Sequence, residues 1–263
     1  MREVVAVEVV RCSAAGTTVE RDHVAVEAPL EIRVGGAPVT ITLRTPGDDE
    51  ALARGFLFAE GLLGGPGRPG PAVRGANQRG EQVIDLELDA PLAAGGAHRA
   101  FVATSSCGAC GKDSLEALAL DLAPVPPGFS VARAVVAALP ERLRAAQRVF
   151  ERTGGLHAAG AFDAAGATLV VREDVGRHNA VDKVVGWAHA AGRLPLSEAI
   201  LCVSGRTSFE ILQKAVRAGF SVVAAVSAPS SLAIALAEEH GVALCGFVRA
   251  GALTIYAHPE RIL

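Results

Sequence analysis

From residue 156 to the end of the chain, short apolar runs alternate with segments of helical period, and no other feature of the sequence narrows the fold as far. Leu156 to Phe162 and Thr168 to Arg172 read as strands, Asn179 to Ala191 as a helix, Ala199 to Val203 as a strand and Ser208 to Ala218 as a helix. Ser221 to Val226 follows as a strand and Ser231 to Glu239 as a helix, before closing strands at Ala243 to Val248 and Leu253 to Tyr256. This order predicts an α/β layer, with helices covering a largely buried sheet whose parallel strands end along one edge.

The front of the chain has the strand period instead. Val4 to Val10, His23 to Glu27, Leu30 to Val34, Val39 to Leu43 and Val83 to Leu88 alternate or run apolar and β-branched between glycines and prolines. One helix interrupts them, opening near Asp48 as an N-cap and carrying Leu52, Phe56, Ala59 and Leu63 at helical spacing. Residues 64–80, rich in glycine, proline and arginine, read as a solvated loop. Helices are predicted over Lys112 to Leu120 and Val131 to Phe150, the second bent or restarted at Pro140. The expected fold class is therefore mixed α+β and α/β: a β-rich part over 1–104, a cysteine loop and connector over 105–130, and an α/β domain over 131–263.

A hydrophobic content of 50% in 263 residues is ample for a buried core. A net charge of −3 gives no overall attraction for nucleic acid, so any bound anion needs a local cluster of cations. Near Met1 no apolar run has the length of a signal peptide, and the longer apolar stretches downstream are broken by charge or glycine. The expectation is a cytoplasmic protein that neither crosses nor binds a membrane. Five cysteines, unevenly spaced, are too few for a disulfide scaffold.

Two of those cysteines lie close together, in Thr104-Ser105-Ser106-Cys107-Gly108-Ala109-Cys110-Gly111-Lys112. Small neighbours leave the sulfurs accessible, and a following helix start together with Lys112 favours the thiolate. A thiolate can attack a donor persulfide and then present its outer sulfur to an acceptor. Other readings stay open at this point. The pair can be half of a structural zinc site, although no second pair accompanies it and Cys12, Cys202 and Cys245 stand singly. It can also be a disulfide exchanger, or two inert buried thiols.

In the second half, polar residues break out of apolar elements at four strand ends. These are Arg172 to Lys183 (including Arg177, His178, Asn179 and Asp182), then Ser204-Gly205-Arg206-Thr207-Ser208, Ser227-Ala228-Pro229-Ser230-Ser231, and Gly246-Phe247-Val248-Arg249. Helix starts at such ends offer free backbone N–H groups to phosphate, and Arg177, Lys183, Arg206 and Arg249 add charge. Taken singly each has a plainer role: Ser204 and Ser230 as N-caps, Arg177 with Asp182 as a surface pair, His178 as a satisfied polar residue. Repetition at successive strand ends favours a phosphate pocket, because capping alone does not call for arginine.

These segments, with Thr153-Gly154-Gly155-Leu156-His157 and Phe58-Ala59-Glu60-Gly61-Leu62, resemble in order and spacing the formate dehydrogenase accessory sulfurtransferase family. The resemblance covers essentially the whole chain. It implies a carrier that takes sulfur from a cysteine desulfurase as a persulfide and passes it to the bis-molybdopterin guanine dinucleotide form of the molybdenum cofactor, for formate dehydrogenase. GDP would then serve as an analogue of the acceptor. The family's persulfide residue falls on Cys107, with Cys110 beside it, and its cofactor-binding stretch on Phe247, Val248, Arg249, Ala250, Gly251 and Ala252. The resemblance further implies a cytidine-deaminase-like α/β domain without zinc, in agreement with Ser106 before the Cys107–Cys110 pair and no His-x-Glu ahead of it. It also implies a homodimer. A cofactor-binding chaperone without sulfur transfer and a zinc-dependent hydrolase are the competing functions.

Overall fold

The computed structural model describes residues 2–63, 70–87, 101–103 (backbone) and 122–263. Cys107, Cys110 and the helix expected over Lys112 to Leu120 lie outside the described residues. The chain opens with a hairpin of β1 (Val4–Ser13) and β2 (Gly16–Ala25), which pair with each other alone. Next come β3 (Ala28–Val34), β4 (Ala37–Arg44), helix α1 (Asp49–Ala59), β5 (Ala72–Ala76), β6 (Gln82–Leu86) and β7 (Phe101–Ala103). Their strands form a sheet in the order β5-β6-β3-β4-β7. Leu30, Ile32 and Val34 share one face of β3, which is the buried one, while Glu31 and Arg33 on the other form an ion pair at 2.7 Å.

After residue 122 follow α2 (Arg133–Ala145), α3 (Arg148–Thr153), β8 (His157–Phe162), β9 (Thr168–Asp174), α4 (Arg177–Ala190), β10 (Ile200–Val203), α5 (Phe209–Ala218), β11 (Val222–Ala225), α6 (Ser231–His240), β12 (Ala243–Arg249) and β13 (Ala252–Ala257). The second sheet has the order β13-β12-β11-β10-β8-β9. It is mixed, not wholly parallel: β10, β11 and β12 run together, whereas β8 and β13 run against their neighbours. Because β9 reverses β8, it points the same way as β10, so β9 to β12 end on one edge. The β-rich front followed by an α/β layer is the architecture expected from the sequence. No described helix is long and apolar enough to cross a membrane.

Several local expectations give way to the structure. Five residues of the loop expected over 64–80 form strand β5, whose Ala-Val-Arg-Gly-Ala sequence lacks alternation because it is an exposed edge paired, among the described residues, only with β6. Pro140 does not interrupt α2; the break comes at Ala146 and Gln147, where the Glu173 carboxylate accepts from Val149 N at 2.9 Å and Phe150 N at 2.8 Å and starts α3. Asp48 stands at the N-cap of α1 but makes no capping bond, and its carboxylate meets Arg172 Nε at 3.2 Å instead. Leu63 lies beyond that helix, and α4 opens at Arg177, two residues before the expected start.

The two sheets do not bury separate cores. One apolar cluster runs from Leu30, Ile32, Leu52 and Leu57 to Val181, Val185, Leu201 and Val223, with α1 laid across α4. At the crossing a Cβ on Gly55 would stand 1.8 Å from the Asp182 carbonyl oxygen, and one on Gly186 would stand 1.8 Å from that of Ala51. On an exposed helix Gly→Ala stabilises by about 1 kcal/mol. Here the steric term is larger, because backbone cannot step aside as a side chain can. Gly186→Ala is expected to destabilise the fold by about 3 kcal/mol, the upper end of overpacking costs, read as a lower urea midpoint at unchanged slope.

Candidate functional site

The edge where β9 to β12 end is organised around Asp174, the last residue of β9 and fully buried. Its Oδ1 accepts from Gly176 N and from Asn179 Nδ2, both at 2.9 Å; its Oδ2 accepts from Thr45 N at 3.1 Å and faces Lys183 Nζ at 2.8 Å. Thr45 Oγ1 accepts in turn from Val175 N at 3.2 Å, and Asn179 Nδ2 donates to Leu43 O at 2.8 Å. One carboxylate therefore ties the end of β4 to the start of α4. It brings the front sheet up to the strand-end edge. The same contact explains the burial of Lys183, whose ammonium also donates to Thr45 O at 3.0 Å and Glu173 O at 3.1 Å. Three donors meet three acceptors, and none is left for a ligand.

Further along, backbone hydrogen bonds lace three strand-end loops together. Ser227 N donates to Gly205 O at 3.4 Å, Thr207 N to Ala228 O at 3.3 Å, Ser230 N to Thr207 O at 3.0 Å and Phe247 N to Ser227 O at 3.2 Å. At the end of β12 Phe247 takes φ 50, a conformation that costs a bulky residue energy, and its side chain is 45% exposed. Arg249 pairs with Ala252 across a hairpin tip made by Ala250 and Gly251. From Asp174 to that tip the edge is made of the ends of β9, β10, β11 and β12, with the start of β8 set between β9 and β10.

Most of the residues expected at the site lie along it: Arg177, His178, Asn179, Ser204, Gly205, Arg206, Ser227, Ser230, Phe247, Arg249, Ala250, Gly251 and Ala252. Three do not face outward. Lys183 is the buried partner of Asp174, and Val248 is fully buried in the core beneath β12. Asp182 is no surface partner of Arg177; it is buried against Lys214 Nζ at 2.7 Å, on the side of α4 that meets α5. Burial pushes the Asp182 carboxyl up to about 6, against the pull of Lys214. Burial draws Lys214 down, but Asp182, Glu60 and Glu210 outweigh it and the net shift is upward.

The serines divide. Ser230 is an N-cap, accepting from Ala233 N at 3.3 Å, as its plainer reading has it. Ser204 caps nothing, for its hydroxyl accepts from Ala158 N at 2.9 Å and its place at the head of α5 belongs to Ser208. His178 Nε2 lies 3.1 Å from Glu210 Oε2 and 3.4 Å from Ser208 Oγ, and burial, partly offset by Glu210, holds its pKa below the usual value. Arg206 and Arg249 are exposed, and their side chains form no ion pair or hydrogen bond with a described residue. They are the cations that the edge leaves available to an anion.

One residue at the edge was absent from the expected set. His157 begins β8, which runs against its neighbours, so it sits opposite Asp174 and beside the loop after β10. A Cβ on Gly205 would be 3.5 Å from His157 Nδ1. Its signal was present in the Gly-Gly-Leu-His approach to a strand, but a strand's first residue reads as framework unless the antiparallel turn of β8 is known.

Of the described cysteines, Cys202 and Cys245 are buried and their thiols pushed up to about 12, so neither offers a thiolate. Cys12 is exposed on the β1–β2 hairpin.

Residues 25–263 match the FdhD/NarQ family. The chain is 52% identical over 260 residues to a protein named sulfur carrier protein FdhD from Mycolicibacterium paratuberculosis, covering 94% of this chain and 95% of that one. It is 48% identical over 261 residues to the protein of the same name from Nocardia farcinica, with 97% and 93% covered. A crystal structure from Desulfotalea psychrophila, provisionally described as a formate dehydrogenase accessory protein, superposes over the full length of both chains with a TM-score of 0.81 at 24% identity.

Proposed function

The chain belongs to the FdhD/NarQ family, and from that premise we propose that it is a sulfur carrier serving formate dehydrogenase. In this reading the Cys107 thiolate attacks the outer sulfur of a cysteine desulfurase persulfide, the donor cysteine leaves as thiolate, and Cys107 holds the sulfur as its own persulfide. The acceptor is the bis-molybdopterin guanine dinucleotide cofactor, held by its phosphates before insertion into the enzyme. The cytoplasm, where thiols stay reduced, suits this chemistry.

The observation that carries the reading is the strand-end edge, where Arg206 in the loop ahead of α5 and Arg249 at the end of β12 form no side-chain ion pair or hydrogen bond with a described residue. A diphosphate placed there gains charge-assisted hydrogen bonds from Arg206 and Arg249 and free N–H groups at two helix starts. Ala103, the last described residue before Cys107, pairs with Thr42, whose hydroxyl lies 3.5 Å from Asn179 Oδ1 at this edge. The chain from Ala103 to Cys107 spans at most about 14 Å when fully extended. A carrier thiol tethered that closely serves an acceptor held on the edge.

GDP, which presents a diphosphate and the guanine, is the direct probe. Arg206→Ala and Arg249→Ala are each expected to weaken its binding by roughly 1.5–3 kcal/mol, the range for hydrogen bonds to charged groups. Titration calorimetry on the wild type and both variants measures this, and unchanged affinity in both moves the acceptor site off this edge.

A further inference from the structure

We infer that His157 is a ligand-sensing proton acceptor of the strand-end pocket: neutral while the pocket is empty, it takes up a proton when the diphosphate of a dinucleotide binds. This inference rests on the reading of the edge as a diphosphate site and adds to it a residue and a coupling.

Three geometric facts support it. His157 opens β8, the strand between β9 and β10, and so stands in the gap between Asp174 at the end of β9 and Gly205 in the loop after β10. Gly205 lies directly against the imidazole, a Cβ there standing 3.5 Å from Nδ1, in ordinary van der Waals contact. Neighbouring polar side chains are engaged, Asn179 with Leu43 O and Asp174, Ser204 with Ala158 N, and His178 with Glu210. His157 makes no hydrogen bond with a described residue, so its ring nitrogens are available.

The charges around the ring set the direction of the coupling. Burial lowers the His157 pKa first, then Arg177 and His178 at the start of α4, against a smaller upward pull from Asp174 at the end of β9. The free protein therefore holds the ring neutral near pH 7. A bound diphosphate brings negative charge into the same gap, offsets Arg177 and raises the pKa of His157. A pKa that rises on binding means a proton is taken up, and binding then tightens as the pH falls. A neutral ring that charges only against an anion also separates a phosphate-bearing ligand from an uncharged one of the same shape.

The test uses diguanosine pyrophosphate, whose two phosphates are both esterified and do not titrate near neutrality, so any proton exchanged belongs to the protein. Calorimetric titrations of the full chain near pH 7, in buffers of different ionisation enthalpy, give the protons taken up per ligand bound. Net uptake is expected in the wild type and in His178→Gln, and its loss in His157→Gln, which still binds but no longer tightens from about pH 8 to about pH 6. Binding by the wild type without proton uptake overturns the inference while the pocket stands. Uptake that survives in His157→Gln but vanishes in His178→Gln overturns it in favour of His178. A wild type that fails to bind the probe at all overturns both the inference and the reading beneath it.

Discussion

Asp174→Asn is expected to destabilise the protein by about 3–5 kcal/mol, the cost of leaving a buried charge without its partner. At roughly 2–4 °C per kcal/mol for a chain of this size, the melting temperature falls by roughly 6–20 °C. The loss is large because Lys183 is 2% exposed and cannot turn to water, while Asp174 accepts four polar contacts that join β4, β9 and α4. Asparagine keeps the shape and one acceptor oxygen but turns its amide N–H groups toward two donors, so the drop reports the lost charge together with two lost acceptor contacts. In the double variant Asp174→Asn/Lys183→Met no charge is stranded, and part of the loss returns. Differential scanning calorimetry of the two variants beside the wild type checks both statements. Equal melting temperatures for Asp174→Asn and the wild type would remove Asp174 from the centre of the edge.

The second large effect concerns the paired cysteines. Cys107→Ala is expected to abolish activation of the client formate dehydrogenase in a strain lacking its own carrier: of the described cysteines, Cys202 and Cys245 are buried and protonated at neutral pH, and Cys12, though exposed, lies on the separate β1–β2 hairpin. Cys110→Ala is expected to keep loading sulfur and to lose only part of the activation, since we propose that the Cys110 thiolate attacks the inner sulfur of the Cys107 persulfide, breaking its S–S bond to release hydrosulfide and leaving a Cys107–Cys110 disulfide that a cellular thiol reductant returns to two thiols. Formate oxidation in extracts of the complemented strains measures the outcome. Full activity in Cys107→Ala would leave a chaperone that binds the cofactor without transferring sulfur.

What the sequence made legible was the part governed by local pattern. The alternation from residue 156 onward placed every strand and helix of the second sheet, and the polar residues after each apolar run marked the edge where β9, β10, β11 and β12 end. What it hid was set by partners distant in the chain. Lys183 reads as a cation at a helix start, and only the arrival of Thr45 and its carbonyl buries it. Asp182 reads as a surface acid, and only the packing of α5 supplies Lys214. The break between α2 and α3 follows from Glu173 reaching back to Val149 and Phe150, a contact invisible to helical periodicity. The strand direction that brings His157 to the site depends on β8 entering the sheet against its neighbours.

The central claim is that Cys107 carries sulfur, and the most direct measurement is where sulfur resides after loading. The wild-type protein is incubated with a cysteine desulfurase and cysteine, its thiols are alkylated without reductant, and its peptides are analysed by mass spectrometry. The account predicts one added sulfur atom on Cys107, removed by reductant and absent when the desulfurase is omitted. Added sulfur found only on Cys110 or Cys12, or on no cysteine, would contradict it.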